Sequence, residues 1–293
     1  MLNLKYYQGV DLYSDGKDED YLLTKIKENK TLSDIPKSEI TWPVFYHLSP
    51  VRENILNWYP FKTNANLLEI GSGCGALTAM LCEKVKHLTA VELSKKRASI
   101  TEARTNTLKN LEIIVGNFND ISFEQKFDYI TLIGVLEYAP SFTKSENPFL
   151  DFLKKIKKLL KKDGKIFIAI ENQFGIKYWS GANEDHLAKP FTGLEGYLNV
   201  EHVRTFGKNE LEEIIIKTGF KDIKFYYPYP DYKFPEIIFS DKFQPTETDL
   251  QVSTPVFSHK RKTLFNEKHV LSELSRNGMF PFFANSFLVE CGI

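Results

Sequence analysis

LLEIGSGCGALT, residues 67–78, decides the fold of this chain because it joins three kinds of local structure in one short stretch. Four mostly apolar residues indicate a buried strand, and glycines follow at positions 71, 73 and 75. An amphipathic run over 76–84 then indicates a helix. Glycine suits the turn because it adopts conformations closed to residues with a Cβ and lets a ligand approach the backbone. The helix N-terminus presents free N–H groups to that ligand.

The spacing of the glycines separates two classes of ligand. A dinucleotide turn reads Gly-x-Gly-x-x-Gly, whereas here the third glycine comes one residue early. With an acidic residue ahead of the glycines, the stretch resembles the first motif of the class I S-adenosylmethionine-dependent methyltransferases. The alternative is a generic strand-to-helix turn. The resemblance implies that Glu69, Gly71, Ser72, Gly73 and Gly75 contact the cofactor.

A carboxylate at the end of the next strand supports a nucleoside ligand. Residues 88–93 indicate a short buried strand, and Glu92 at its end follows Gly71 by 21 residues. A carboxylate at this distance can accept hydrogen bonds from both ribose hydroxyls of an adenosine. A solvated charge at a strand end is the simpler alternative for Glu92 alone. Together with the glycine turn it predicts a ligand contact, and we place Leu93 beside it.

Further cofactor contacts follow from the resemblance. The loop after the third strand, 111–115, lines the adenine in such enzymes, so Asn117 could bond the ring edge and Phe118 pack on its face; an asparagine-rich turn is the alternative. The fourth strand, 127–136, ends in GVLEY, where carbonyls near Gly134 and Val135 would accept the cofactor's ammonium. Arg52 could pair with the methionine carboxylate, or simply be a surface arginine.

Strands that alternate with helices predict an α/β fold with a doubly wound, mostly parallel sheet of seven strands, the Rossmann-like methyltransferase fold. Ligands of such sheets bind beyond the carboxyl ends of the strands. We interpret residues 1–47 as an N-terminal cap and 48–293 as the methyltransferase domain. Insertions at about 172–206 and 230–282 have little regular period, and long connections of that kind are often functional.

The first insertion carries the candidate catalytic residues. His186 lies beside Asp185, and Glu171 ends the fifth strand, 164–171. A histidine beside a carboxylate could act as general base near neutral pH; a structural histidine is the alternative. Tyr178 and Trp179 could stack on a sugar or a ring. The proline-rich stretch 226–235 is either an acceptor platform or a packing strap, and its prolines argue against a central strand. We predict acceptor contacts from Glu137, Tyr138, Asn172, Tyr178, Trp179, Tyr229 and Asp231.

Composition excludes several other classes of protein. Lysine plus arginine and aspartate plus glutamate both number 38, so no basic excess indicates a nucleic-acid partner. No apolar run is long enough to span a bilayer, and no signal pattern begins the chain. Three cysteines without metal-like spacing fit a reducing compartment, so we expect a cytoplasmic protein. We assign no metal ligand, and the oligomeric state stays open.

The combination of Trp42, the segment YHLS at 46–49, the loop 171–186 and YYPYPDYKFP at 226–235 resembles a bacterial methyltransferase subgroup associated with cell-surface polysaccharide synthesis. The resemblance implies S-adenosylmethionine as cofactor and a small-molecule or sugar- or glycan-linked acceptor, with O-methylation favoured over N-methylation. Absence of an Asp/Asn-Pro-Pro-Tyr motif argues against many amino-nitrogen acceptors. The alternatives are a NAD-dependent oxidoreductase, a sugar-nucleotide epimerase, a glycosyltransferase, or a noncatalytic cofactor-binding module.

Overall fold

The computed structural model describes residues 2–11, 13–252 and 261–293. The chain forms two compact units. The first unit comprises Met1–Leu132 and Leu159–Gly164, and the second comprises Ile133–Lys158 and Lys165–Ile293. None of the helices in the described ranges combines the length and the apolar character that a membrane crossing requires.

The strands of the first unit all run parallel to their neighbours. In spatial order β1-β4-β3-β2-β5, they are β1 (Leu2–Tyr6), β2 (Asn66–Ile70), β3 (His87–Glu92), β4 (Leu111–Gly116) and β5 (Phe127–Ile133). The helices of this unit are α1 (Lys17–Lys27), α2 (Trp42–Leu48), α3 (Asn54–Asn57), α4 (Thr78–Lys84) and α5 (Lys95–Arg104). The parallel α/β arrangement predicted for this part of the chain is confirmed.

Burial explains why the sequence of this unit is easy to interpret. Strands β2 and β3 are buried over nearly their whole length, with Leu67, Leu68, Leu88 and Ala90 fully inaccessible. Parallel strands are covered on both faces, so they appear in a sequence as continuous apolar runs. Strand β1 does not show this pattern, because most of its residues are half-buried or exposed at the edge beside β4.

The second unit contains antiparallel pairs. Its strands are β6 (Leu160–Glu171, beginning in the first unit), β7 (Lys221–Tyr229), β8 (Ile237–Ser240) and β9 (Ser286–Gly292). Strand β9 pairs antiparallel with both β6 and β7, and β7 pairs antiparallel with β8. The helices of this unit are α6 (Ala139–Phe142), α7 (Pro148–Leu159), α8 (Ile176–Trp179), α9 (Lys208–Lys217), α10 (Glu267–Arg276) and α11 (Phe280–Phe283).

Two details of the predicted sheet are wrong. Within the described ranges the strands number nine rather than seven, because β1 and β8 add to the expected set. Prolines were also expected to keep 226–235 out of a central strand, yet β7 runs through Pro228 between β9 and β8. The pairing with β9 reaches only Tyr226, and Pro228 pairs with β8 alone, so its missing N–H is tolerated.

The predicted insertions contain little regular structure. Residues 172–206 hold the one-turn helix α8 and a series of turns, while 230–282 contain β8, α10 and the start of α11. Part of the second insertion, 253–260, lies outside the described residues.

Candidate active site

The glycine turn of the first unit has the backbone geometry that its sequence predicts. Gly71, Gly73 and Gly75 have φ angles of 78°, 57° and 74°, in the region that residues with a Cβ rarely adopt. A Cβ on Gly75 would lie 2.9 Å from the side chain of Thr101, so this glycine also permits close packing on α5. A Cβ on Gly73 would meet only His47, at 4.0 Å. Backbone at Gly73 is therefore open to a ligand.

Glu92 holds the turn from the end of β3. Its carboxylate accepts the N–H of Gly73 at 2.7 Å and that of Ser94 at 2.9 Å. Burial raises the pKa of Glu92, although these backbone bonds and Arg97 act to lower it. Each carboxylate oxygen has a second lone pair, so the group can still accept ribose hydroxyls. The predicted ribose contact fits this geometry.

Two buried groups beside the turn have polar atoms available for a ligand. Arg52 places its guanidinium 3.6 Å from the ring centroid of Tyr46. Its Nε and Nη1 atoms, and Oγ of Ser72, have no hydrogen-bond partner within the described ranges. Buried donors without partners are uncommon in folded proteins. They fit the carboxylate of a methionine moiety, the role predicted for Arg52, and so the turn and its neighbours fit S-adenosylmethionine.

Glu69, the acidic residue before the turn, is buried and hydrogen-bonded to the start of α4. It accepts the Thr78 hydroxyl at 2.7 Å. Burial raises the pKa of Glu69 to about 7, and the charge of Glu92 acts in the same direction. This hydrogen bond joins the end of β2 to the start of α4.

The predicted adenine loop, which contains Asn117 and Phe118, belongs to the first unit. Asn117 Oδ1 accepts the N–H of Asn119 at 2.9 Å, as in the turn that was the alternative interpretation. Phe118 is buried, with its ring centroid 6.0 Å from that of Phe123. Leu93 is half-buried and follows Glu92 directly. Their contacts with adenine stay predictions.

An ionic cluster that the sequence does not predict lies near the glycine turn. Arg97 of α5 bonds Asp15 at 2.5 Å and Glu19 at 2.8 Å, and His47 Nε2 lies 3.5 Å from Asp15. Burial lowers the pKa of His47 to about 4 despite its bond to Asp15. The acidic character of residues 15–20 was the one available signal, but it did not identify the partners.

The second unit gathers three of the predicted acceptor-side residues around His186. Its Nδ1 lies 2.9 Å from the Tyr138 hydroxyl, and its Nε2 lies 3.5 Å from Glu171 Oε2. Glu137 completes the group, because a ligand atom from Glu137, from Glu171 and from His186 can all lie within 4.8 Å of one another. We call Glu137, Glu171 and His186 the acidic triad.

The charges of the acidic triad depend on one another. Burial would lower the pKa of His186, but the charges of Glu171 and Glu137 raise it to about 9. Burial and the Glu171 charge raise the pKa of Glu137 to about 8. Burial also opposes ionisation of Glu171, yet Lys233 and His186 hold its pKa well below the usual range. Near neutral pH the unliganded triad therefore keeps a proton on His186.

Two buried lysines form ion pairs with the neighbouring carboxylates, and neither lysine belongs to the predicted site. Lys177 lies 2.7 Å from Asp231 and 2.8 Å from Asp185, and Lys233 bonds Glu171. Burial opposes ionisation of Asp185, but Lys177 and Lys233 lower its pKa to about 2. The Tyr178 hydroxyl also donates to Asp185, at 2.5 Å. Asp185 is thus firmly held and is a weak base.

Other predicted acceptor residues lie outside this group. Asn172 donates to the carbonyls of Phe282 and Ala284, and the Tyr229 hydroxyl bonds the carbonyl of Val252, as structural side chains do. Trp179 is 43% exposed.

Two residues predicted to contact the cofactor, Gly134 and Val135, belong to the second unit. Gly134 has a φ angle of 70°, and a Cβ on it would lie 2.8 Å from the Tyr232 hydroxyl. Their predicted contacts with the cofactor stay predictions.

A parallel α/β unit with a glycine turn, a carboxylate closing that turn and open donors beside it defines a nucleotide-cofactor enzyme. A family model described as a methyltransferase domain matches residues 44–224, more than half of the chain. The chain therefore belongs to the methyltransferase domain family, and it is an S-adenosylmethionine-dependent methyltransferase, as the sequence predicts.

Relatives with similar sequences share this class. An uncharacterized methyltransferase of Staphylococcus carnosus is 36% identical over 151 residues, which are 52% of this chain and 66% of that protein. The ribosomal RNA small subunit methyltransferase A of Malacoplasma penetrans is 26% identical over 86% of this chain and 83% of its own length. A ubiquinone biosynthesis O-methyltransferase of Pelagibacter ubique is 29% identical over 42% of this chain, which spans 51% of its length.

Solved structures show the same fold. An S-adenosylmethionine-dependent methyltransferase of Archaeoglobus fulgidus has a TM-score of 0.51 and 13% identity, covering 85% of this chain and 96% of its own. The structure described as a complex between the Haloferax volcanii Trm112 methyltransferase activator and a methyltransferase also scores 0.51, with 16% identity, 95% of this chain and 97% of that chain. At these identities the likeness concerns the fold alone.

Proposed function

We propose that this enzyme transfers the methyl group of S-adenosylmethionine to an oxygen of a small-molecule or sugar- or glycan-linked acceptor. The first unit binds the cofactor and the second unit supplies the groups that bind and activate the acceptor. The observation that carries this proposal is the acidic triad, because its buried Glu137 Oε2, Glu171 Oε2 and His186 Nε2 have no hydrogen-bond partner within the described ranges. Such atoms suit a hydroxyl ligand.

In the first unit, Glu92 accepts the ribose hydroxyls, Arg52 pairs with the methionine carboxylate, and the backbone at Gly73 leaves room for the ligand. When bound, the cofactor supplies a sulfonium methyl group that is already a strong electrophile. The main tasks of the protein are then to orient the acceptor oxygen and to exclude water. Burial of the acidic triad serves the second task.

A hydroxyl acceptor must also lose its proton. A carbon–oxygen bond forms as the carbon–sulfur bond breaks, the bonding electrons go to sulfur, and the proton leaves the acceptor oxygen. We assign this deprotonation to the region of His186, Glu171 and Asp185. Since Asp185 is held by Lys177 and Tyr178, and His186 already carries a proton near neutral pH, the larger share falls to Glu171 near neutral pH and to His186 at higher pH, where it has lost that proton.

A sugar- or glycan-linked acceptor is supported by the resemblance of 46–49, 171–186 and 226–235 to the polysaccharide-associated subgroup. The second unit also offers aromatic surface for stacking on a sugar, at the exposed Trp179. A role in polysaccharide synthesis and a cytoplasmic location stay predictions.

Ribosomal RNA is a second candidate acceptor. The named activity of the Malacoplasma penetrans relative, which matches 86% of this chain, favours it. The zero net charge of this chain and its lack of an Asp/Asn-Pro-Pro-Tyr motif favour an oxygen on a small or glycan-linked acceptor instead.

A methyl-transfer screen with radiolabelled S-adenosylmethionine tests the proposal. The acceptors are surface-glycan precursors, free sugars and polyols, and 16S ribosomal RNA, each with wild type and with Glu137→Gln. We expect label on a sugar or polyol oxygen with wild type and at least a tenfold lower rate with the variant. Transfer to RNA alone would replace this proposal by the second candidate. Cofactor binding without transfer to any acceptor would favour a noncatalytic binding module.

A further inference from the structure

Three buried side chains of the second unit turn unsatisfied polar atoms toward one another. Glu137 is 1% exposed and Glu171 is fully buried, while the His186 side chain is 7% exposed. Each has one polar atom, Oε2, Oε2 and Nε2 respectively, without a hydrogen-bond partner in the part of the chain that the structure describes. A single buried polar atom without a partner is already uncommon, and three in one cluster indicate a ligand that contacts all of them.

The chemistry of these atoms is that of a metal site. Two carboxylate oxygens and one imidazole nitrogen are ligands of divalent first-row metals. Ligands about 2.1 Å from an ion lie roughly 3.0–3.5 Å apart at octahedral or tetrahedral angles. The distance between His186 Nε2 and Glu171 Oε2 is 3.5 Å, and the whole set lies within 4.8 Å. Small rotations of the side chains would complete a site.

The surroundings orient these ligands as second-sphere groups do. His186 has its other ring nitrogen 2.9 Å from the Tyr138 hydroxyl, which fixes the ring. Lys233 bonds Oε1 of Glu171 and leaves Oε2 for a single metal bond.

We propose that Glu137, Glu171 and His186 bind one divalent metal ion, with three protein ligands and open positions for acceptor oxygens. The use of the ion rests on the proposed function. A chelating acceptor, with two neighbouring hydroxyls or a hydroxyl beside a carbonyl, would fill the open positions. The ion would lower the pKa of the bound hydroxyl, whose proton would be released to solvent before methyl transfer, so His186 would serve as a ligand instead of taking the proton itself.

Titration of the metal-depleted full-length protein with Mn²⁺ tests the inference, with free Mn²⁺ followed by electron paramagnetic resonance. We expect one Mn²⁺ per chain, and at least tenfold weaker binding by Glu137→Gln and by His186→Gln. Glu290→Gln is the matched control, because Glu290 is a buried carboxylate of the same unit that pairs with Lys165. Binding by this control should equal that of wild type. Thermal shifts with S-adenosylhomocysteine identify variants that fail to fold, in which case Glu137→Asp replaces Glu137→Gln.

Absence of saturable Mn²⁺ binding, or equal binding by wild type and both triad variants, would overturn the inference. Full acceptor turnover by the metal-depleted enzyme would overturn it as well and would leave the proposed function standing. Triad-dependent Mn²⁺ binding without methylation of any hydroxyl acceptor would support the metal site and refute the proposed function.

Discussion

The two units differ in how their functional groups are brought together. In the first unit, Gly73 and the carboxylate that holds it, Glu92, are 19 residues apart and lie at the ends of neighbouring parallel strands. In the second unit, Glu171 and Lys233 are 62 residues apart and reach each other through antiparallel pairing and long irregular connections. A cofactor site can be built from one short motif, whereas the acceptor site needs residues that only the folded chain unites.

The partners of the buried carboxylates also differ between the two units. Backbone N–H groups hold the Glu92 carboxylate, so its surroundings follow from the turn itself. Glu171, Asp185 and Asp231 are instead held by the ammonium groups of Lys177 and Lys233. Breaking a buried ion pair by removing one partner is strongly destabilising. The stability of the second unit should therefore be more sensitive than that of the first to the loss of a single charge.

The largest effect is expected from His186→Gln in the second unit. Turnover should fall by about 100-fold or more, because the variant loses the imidazole at which the acceptor is activated, whether as base or as metal ligand. Cofactor affinity, a property of the first unit, should stay within about twofold by calorimetry. His202→Gln, at an exposed histidine of the same unit, is the control and should keep full turnover. Equal rates for both variants would remove His186 from the site.

The reverse pattern is expected from Glu92→Gln in the first unit. The amide has an NH2 group that cannot accept from Gly73 or Ser94, and charged hydrogen bonds contribute about 1.5–3 kcal/mol. Cofactor affinity should therefore fall by roughly 10- to 100-fold, as measured by titration calorimetry. Glu112→Gln, on β4, is the control, since its carboxylate accepts from Asn3. Unchanged affinity in Glu92→Gln would show that the ribose is held elsewhere.

A smaller effect on stability is expected from Gly75→Ala. Positive φ costs a residue with a Cβ about 1 kcal/mol, and contact with Thr101 adds to this, for a total loss of roughly 2–3 kcal/mol in the free energy of unfolding. Gly9→Ala shares the positive φ but meets no atom within 4 Å, so it isolates the backbone cost. Urea unfolding of both variants gives the difference. Equal losses would mean that close packing at Gly75 is unimportant.

The smallest effect concerns pH and His47. Its pKa of about 4 in the folded state lies below the unfolded value near 6.5, so the unfolded state binds a proton first as pH falls. Stability is therefore lost on acidification from about pH 6.5 toward pH 4. Between pH 6.5 and 5 we expect wild type to lose roughly 1–2 kcal/mol more than His47→Gln. Urea unfolding at the two pH values measures this, and a His47→Gln curve parallel to wild type would contradict it.

The sequence predicts the first unit well for a physical reason. Strands β2 and β3 are buried on both faces. Their apolar runs and the glycines that follow β2 are therefore enough to predict the strands and the turn. Strand β1 lies half-exposed at an edge and shows no such run. Strand β7 carries a proline that is tolerated only because its pairing with β9 ends at Tyr226.

For the acceptor side, the sequence indicates His186, Asp185 and Glu171 and predicts acceptor contacts from Glu137 and Tyr138, but it does not indicate the lysines that pair with the carboxylates. The sequence does not indicate Lys177 and Lys233, because lysines are usually exposed. Only the fold shows that these two are buried against carboxylates. Glu137 and His186 are 49 residues apart in the chain, so their convergence depends on tertiary contacts. No local pattern encodes such a distance.

We infer that the first unit binds the adenosine and amino-acid parts of S-adenosylmethionine, and a calorimetric titration tests this inference. Calorimetry of the full-length protein with S-adenosylhomocysteine and, separately, with NAD compares the two ligand classes that the glycine spacing distinguishes. We expect one S-adenosylhomocysteine per chain with micromolar affinity and no measurable heat with NAD. Binding of NAD, with none of S-adenosylhomocysteine, would contradict it.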